Sequence, residues 1–182
     1  MNRRRLIAHL PALAALPLLP GAAEAATRRE IDAEVAIALE TLRGMEHVRP
    51  LFQAAHAILV FPRIISGGFI VGGQYGEGAL IRGHETEGHY RIAGASFGLL
   101  AGAQTAGIAM FFMNEASLRA LMAADGWEIG TGPSVVALDH GLQANASITT
   151  LREPVYSITF GQRGLMAALA LNGTKITRFR PD

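Results

Sequence analysis

The chain has 182 residues, half of them apolar, a formal net charge of +1 and no cysteine. That length supports one domain around one core, and the near-neutral charge excludes bulk attraction to nucleic acid or to an anionic membrane, so any such binding must come from a local patch. Without cysteine no disulfide holds the fold and no lipid-modified cysteine anchors the chain.

The first segment reads as an export signal. Arg3, Arg4 and Arg5 precede an apolar run to Ala23, and Ala23-Glu24-Ala25 is a small-x-small cleavage site. His9, Pro11, Pro17 and Pro20 interrupt a run that would need about 20 apolar residues to cross a bilayer. Arg3-Arg4-x-Leu6-Ile7 also fits the twin-arginine pattern. Cleavage after Ala25 leaves 13 basic and 14 acidic side chains. The expectation is a periplasmic or secreted chain whose single domain is 26–182.

Thr27-Arg28-Arg29-Glu30 is a capping box, and Ile31, Val35, Ala38, Leu39, Leu42 and Met45 recur at helical spacing, predicting a helix that ends near Gly44. Its polar face sets Arg28, Arg29 and Arg43 against Glu30, Asp32, Glu34, Glu40 and Glu46. A membrane-surface helix is rich in basic residues, so this one is expected to dock on its own domain. A short helical turn after Pro50 leads to a strand over Ala57 to Phe61. Further strands are predicted at Phe69 to Tyr75, Gly78 to Arg82, His89 to Leu100 and Ala106 to Met113, separated by glycine or polar punctuation. From Phe61 to Leu80 six glycines interleave with apolar residues. Glycine weakens a strand unless the strand bends or packs backbone on backbone, so the run predicts a curved or closed sheet.

Asn114 caps a second predicted helix through Ser117, Leu118, Leu121 and Met122, stopping before Gly126. Short strands follow at Trp127 to Ile129, Ser134 to Leu138, Ile148 to Thr150 and Tyr156 to Phe160. The last unit, Leu165 to Leu171, Asn172-Gly173 and Thr174 to Phe179, is a hairpin with a type I′ turn. Pairing Leu171 with Thr174 places Leu165, Leu169, Leu171 and Ile176 on one face, with Arg178 and Arg180 at its far end and Lys175 on the opposite face. The fold class is therefore α+β, a predominantly antiparallel, curved or barrel-like sheet with an N-terminal amphipathic helix and one mid-chain helix.

Three motifs invite chemistry, and each lacks its context. Gly94-Ala95-Ser96-Phe97-Gly98 fits the nucleophile elbow, yet Leu99 to Ala103 starts a helix poorly and Asp139 and His140 are adjacent, so Ser96 as a hydrolase nucleophile is a remote reading. His84-Glu85-Thr86-Glu87-Gly88-His89 has glycine where H-E-x-x-H needs its second histidine, and reads as a solvated hairpin loop with no metal. Gly72, Gly73, Gly76 and Gly78 fit neither a dinucleotide fingerprint nor a phosphate loop. Trp127 reads as a core or rim aromatic. No cofactor is expected.

FPRIISGGFIVGGQYGEGAL from Phe61, YRIAGASFGLLAGAQT from Tyr90, GWEIG from Gly126 and GLMAALALNGTKI from Gly164 together resemble the SYLF family, a lipid-binding domain of bacteria and eukaryotes. The resemblance runs from about Ala33 to Phe179. It implies a non-catalytic module that binds anionic phospholipid, and not an enzyme; the alternative is a structural or stress-related envelope protein acting through protein contacts. Eukaryotic members are described as actin regulators with a lysine-rich motif near the domain start. Here Lys175 is the only lysine of the chain, so actin is not an expected partner, nor is nucleic acid.

With so little net charge, lipid attraction rests on clustering, and Lys175, Arg178 and Arg180 on the last strand are the candidate lipid-binding residues. The same three charges would equally serve to blunt an edge strand. Export is the first testable expectation. Changing Arg3 and Arg4 together to lysine should trap precursor in the cytoplasm, whereas mature wild type should begin at Ala26, as read by fractionation and N-terminal sequencing. Undiminished export of the double variant would leave the general secretory route.

Overall fold

The computed structural model describes residues 26–138, 151–163 and 173–182. Its element order is α1 (Arg28–Arg43), a 3-10 turn (Glu46–Val48), α2 (Arg49–Ala54), β1 (Ala57–Arg82), β2 (Glu85–Phe112), α3 (Glu115–Ala123), β3 (Trp127–Glu128), β4 (Val135–Ala137), β5 (Val155–Arg163) and β6 (Thr174–Phe179). The class is α+β, with a curled, half-barrel sheet and three α-helices among the described residues. No helix among them is long and apolar enough to cross a membrane, which says nothing of strands.

β1 and β2 form one long antiparallel hairpin, 26 and 28 residues, paired from Ala57↔Phe112 to Arg82↔Glu85. The glycine and polar punctuation that predicts separate short strands does not break them. It bends them. Pairing continues through register shifts at Phe61/Ile64, Gly68/Ile70 and Leu80/Ile81. At the first of these Pro62 and Arg63 stand opposite the single residue Gly107, a bulge that accommodates a proline with no amide to give the ladder.

β2 is the central strand. Its other edge carries β5 along Thr105 to Phe112 and β6 along His89 to Gly94, both antiparallel. β3 extends the sheet beyond β6, and β4 pairs with β5 in parallel, so the sheet is mixed and not wholly antiparallel. The Ile148 to Thr150 strand and the Leu165 to Leu171 arm of the last hairpin lie outside the described residues. Gly173 has φ 74°, the left-handed conformation that a type I′ turn requires.

Closure depends on two glycines. A methyl group at Gly76 would lie 2.8 Å from the Arg63 carbonyl oxygen, and one at Gly78 would overlap the Val60 carbonyl oxygen and lie 2.9 Å from the Phe61 Cα. The second half of β1 therefore crosses the first half of the same strand with backbone against backbone, which only glycine allows.

The curl creates two apolar cores. On the inner face Leu59, Phe61, Ile64, Leu80, Ile92 and Ile108 meet Leu118 and Leu121 of α3. Asn114 caps α3 by accepting from the Ser117 amide at 2.8 Å, and the Ser117 hydroxyl ties the cap to the Pro154 carbonyl. On the outer face Ile31, Val35, Ala38, Leu39 and Leu42 of α1 pack on Val60, Ala109, Phe111 and Ile158. Each such side chain contributes roughly 1.5–3 kcal/mol by leaving water. α1 begins where Thr27 and Glu30 cap one another, the Thr27 amide donating to Glu30 at 2.8 Å. That amide, then the Thr27 hydroxyl, hold the Glu30 carboxyl below its usual range.

Gly78→Ala should lower the unfolding free energy by about 3 kcal/mol or prevent folding, because the overlapped atom is backbone and cannot swing aside. Gly73→Ala, whose added methyl would come no closer than 3.9 Å to any atom, should be neutral or stabilise slightly. Urea titrations of the two variants test this; equal stabilities would contradict the crossing.

Candidate functional site: an arginine cleft at the end of the last strand

Alternation along β6 sorts the three basic residues named from the sequence. Ile176 pairs with Ile92 and is buried on the inner face, so Arg178, paired with Tyr90, lies on that same face at its end. Arg180 follows just past the strand. Lys175, paired with Ala93, lies on the outer face at the other end of β6, where its stem covers Gly126 and its backbone pairs with Glu128.

A cleft of about 720 Å³ is lined by Arg178 to Pro181, by Arg28 at the start of α1 and by Thr86 to His89 of β2, the strand that pairs with β6. The chain closes the cleft at its end, since the Arg28 amide donates to the Asp182 carbonyl at 3.2 Å. Arg178 is aimed by a hydrogen bond from its Nη2 to the Glu87 carbonyl, 2.9 Å, and its guanidinium lies across Gly88. Its charge thus has no carboxylate partner among the described residues. Arg28 stands 3.8 Å from Asp32, a surface pair with 65% of the arginine side chain exposed, and such pairs are weak. Glu87 turns its carboxylate to Arg82, at 3.7 Å. Three arginines therefore line one cleft, Arg178 without a carboxylate partner and Arg28 in a weak surface pair, and guanidinium groups receive phosphate or carboxylate through paired N–H donors.

Arg28 escapes a sequence reading because it is one of several charges on a helix face. Only the docking of α1 brings it to β6, some 150 residues later. His89 also differs from expectation. The segment from His84 is not a solvated loop throughout: Glu85 onward is strand, and His89 is buried, with Nε2 2.8 Å from the Asp32 carboxylate and Thr86 also reaching Asp32. That contact fixes the first turn of α1, and with it Arg28, against β2. Among the described residues no group of three His, Cys, Asp or Glu is placed to hold a metal ion.

Gly94 to Gly98 run within β2, Ser96 paired opposite Gly72, and the next helix begins at Glu115. The strand-turn-helix that an elbow serine requires is not formed there. Asp139 and His140 lie outside the described residues. Trp127 is buried, its ring 5.9 Å from that of Phe112.

Tyr90 borders the arginine end of the inner core with its hydroxyl buried and without a hydrogen-bond partner. Burial pushes its phenol above the ordinary value, against a smaller opposing pull from the Arg178 charge. A phenol raised on folding leaves stability intact below its unfolded pKa of about 10, and loses it as pH rises from there through the folded value. Tyr90→Phe should therefore match or exceed wild-type stability at pH 7, and its advantage should grow above pH 10 in denaturation curves recorded across that range.

Residues 93–180 match the family model described as Ysc84, Las17-binding protein actin regulator. No curated protein matches the chain. The matched stretch starts within the first third of β2 and takes in α3, β3, β4, β5 and β6 with Arg178 and Arg180, while β1 with its crossing glycines and α1 with Arg28 precede it. Residues 93–180 thus match the Ysc84 (SYLF) family, the family that the sequence resembles.

Proposed function

We propose that the chain is a non-catalytic module that binds anionic phospholipid in the bacterial periplasm, with the headgroup phosphate held by Arg28, Arg178 and Arg180. The observation that carries this reading is the cleft of about 720 Å³ on which those arginines converge. Its other support is the family: a SYLF-type domain implies a lipid-binding or actin-regulator-like role. Between these two, the lipid role suits a chain whose first segment reads as an export signal and which has a single lysine. A protein-binding envelope role would need no such convergence of cations.

The site residues named from the sequence are revised accordingly. Arg178 and Arg180 stay, Arg28 joins them, and Lys175 lies too far along β6 to reach the same headgroup. At about 1 kcal/mol per basic group near an anionic surface, three arginines supply about 3 kcal/mol, so affinity is modest and falls with salt.

Titration of mature protein with short-chain phosphatidylglycerol below its micelle concentration, and co-sedimentation with phosphatidylglycerol vesicles at two salt concentrations, test the reading. Wild type should bind in both. The Arg28→Ala, Arg178→Ala, Arg180→Ala triple variant should lose roughly 100-fold for the short-chain lipid, while Arg119→Ala, an exposed arginine on α3, should change nothing. Wild type that binds neither form would overturn the lipid reading and favour the protein-contact alternative.

A further inference from the structure

Inner-facing positions along the hairpin change character at the crossing. Against α3 they are large and apolar: Phe61, Ile64 and Leu80 on β1, Ile92, Ile108 and Met110 on β2. On the other side β1 loops from Ile64 round to Gly76, and the next residues on that same face are Ser66, two positions after Ile64, and Gln74, two before Gly76. Gly76 rests on Arg63 and Ile64, so Ser66 and Gln74 lie inside the coil, on its two walls, just past the contact.

Each belongs to a polar row. Ser66 pairs with Gln104 on β2; Gln74 pairs with Gly94, which pairs with Thr174 on β6. All four polar side chains are buried. In the second row the Gln74 amide donates to the Thr174 hydroxyl at 2.7 Å, passing over Gly94. The first row has no such bond. The Ser66 hydroxyl and the Gln104 carbonyl oxygen, in residues 2% and 9% exposed, are without a hydrogen-bond partner. Folded interiors rarely orphan such oxygens, and two of them on one cross-strand pair call for a group that both can bond.

The surroundings select that group. No charged residue stands on β1 between Arg63 and Glu77, or on β2 after Arg91 until the strand ends at Phe112, so an ion there would be buried without a counter-charge. A carboxamide can turn either end inward and a serine hydroxyl both donates and accepts. The group that meets both in either sense is another hydroxyl. Gly68 and Gly72, next on the same face from either arm, bring no side chain of their own. We infer that the inside of the β1 coil beyond the crossing is a second binding site, in which Ser66 and Gln104 hold the uncharged hydroxyls of a glycerol-like group. It shares no residue with the arginine cleft and stands independently of the anionic-lipid reading.

Isothermal titration of mature protein with three probes tests the site: mono-octanoylglycerol below its micelle concentration, free glycerol, and methyl octanoate, which keeps the chain and lacks the hydroxyls. Wild type should bind mono-octanoylglycerol or glycerol, and methyl octanoate at least tenfold more weakly than the better of the two. Binding of the acylated probe alone assigns the group to a neutral lipid; equal binding of free glycerol assigns it to a soluble polyol. Ser66→Ala with Gln104→Met removes both orphaned oxygens at nearly constant length, and should lose at least tenfold in affinity while melting no lower than wild type. Ser66→Ala alone should shift affinity in the same direction, and it decides the matter where the double variant does not fold. The triple arginine variant of the cleft should bind these probes as wild type does. Wild type that binds neither hydroxyl probe overturns the site, as does a folded double variant with wild-type affinity, or methyl octanoate that binds as tightly as mono-octanoylglycerol.

Discussion

The fold turns on the place where β1 crosses itself. A strand of 26 residues cannot remain flat against a partner of 28 without exposing both faces of a long ribbon, and the chain avoids this by coiling the ribbon until Gly76 and Gly78 rest on the backbone of Val60 to Ile64. Hydrogen is the only side chain that fits between the two segments at Gly78. Side chains at both positions would hold the two halves of the hairpin apart, opening the inner core and removing the floor on which α3 sits. The bulge at Pro62 lies next to the crossing, where a sharp bend in β1 is needed.

Once the ribbon has coiled, each strand residue has a fixed destination. Inner positions go to one sealed core with α3, and outer positions near the strand ends go under α1 and α2. Of the outer positions further along β1, Ile65 and Tyr75 are exposed. β6 reads this geometry out most plainly. Its six residues run from an exposed Lys175, past a buried Ile176, to Arg178 at the mouth of the arginine cleft. The two ends of one short strand thereby meet two different surroundings, the arginine cleft at one end and the segment from Gly126 to Glu128 at the other. α1 contributes to the cleft because its first turn is fixed at three points: the Asp32 to His89 contact, the Arg28 amide on the Asp182 carbonyl, and the buried Ile31.

Local signals were legible wherever a residue's chemistry is satisfied by near neighbours. The Thr27 to Glu30 box and the Asn114 cap each specify a backbone event within four residues, and the glycine run announced curvature. Strand length was not legible, because glycine inside a strand and glycine between strands look alike until the pairing partner is known. Sequence alternation separated Lys175 from Arg178 and Arg180, but the third arginine of the cleft, Arg28, depends on helix docking and carries no local mark. The burial of His89 was not legible for the same reason: its partner, Asp32, is 57 positions away.

A chain without cysteine can be labelled at one chosen position, and that permits the most direct measurement of how this molecule meets a membrane. A fluorophore placed at Pro181→Cys, on the lining of the arginine cleft, and, separately, at Glu128→Cys, beside the other end of β6, would be read against phosphatidylglycerol vesicles carrying a nitroxide on the headgroup. Strong quenching at position 181 with little at position 128 is the predicted result. Position 181 left unquenched, in protein that pellets with the vesicles, would contradict binding through the arginine cleft.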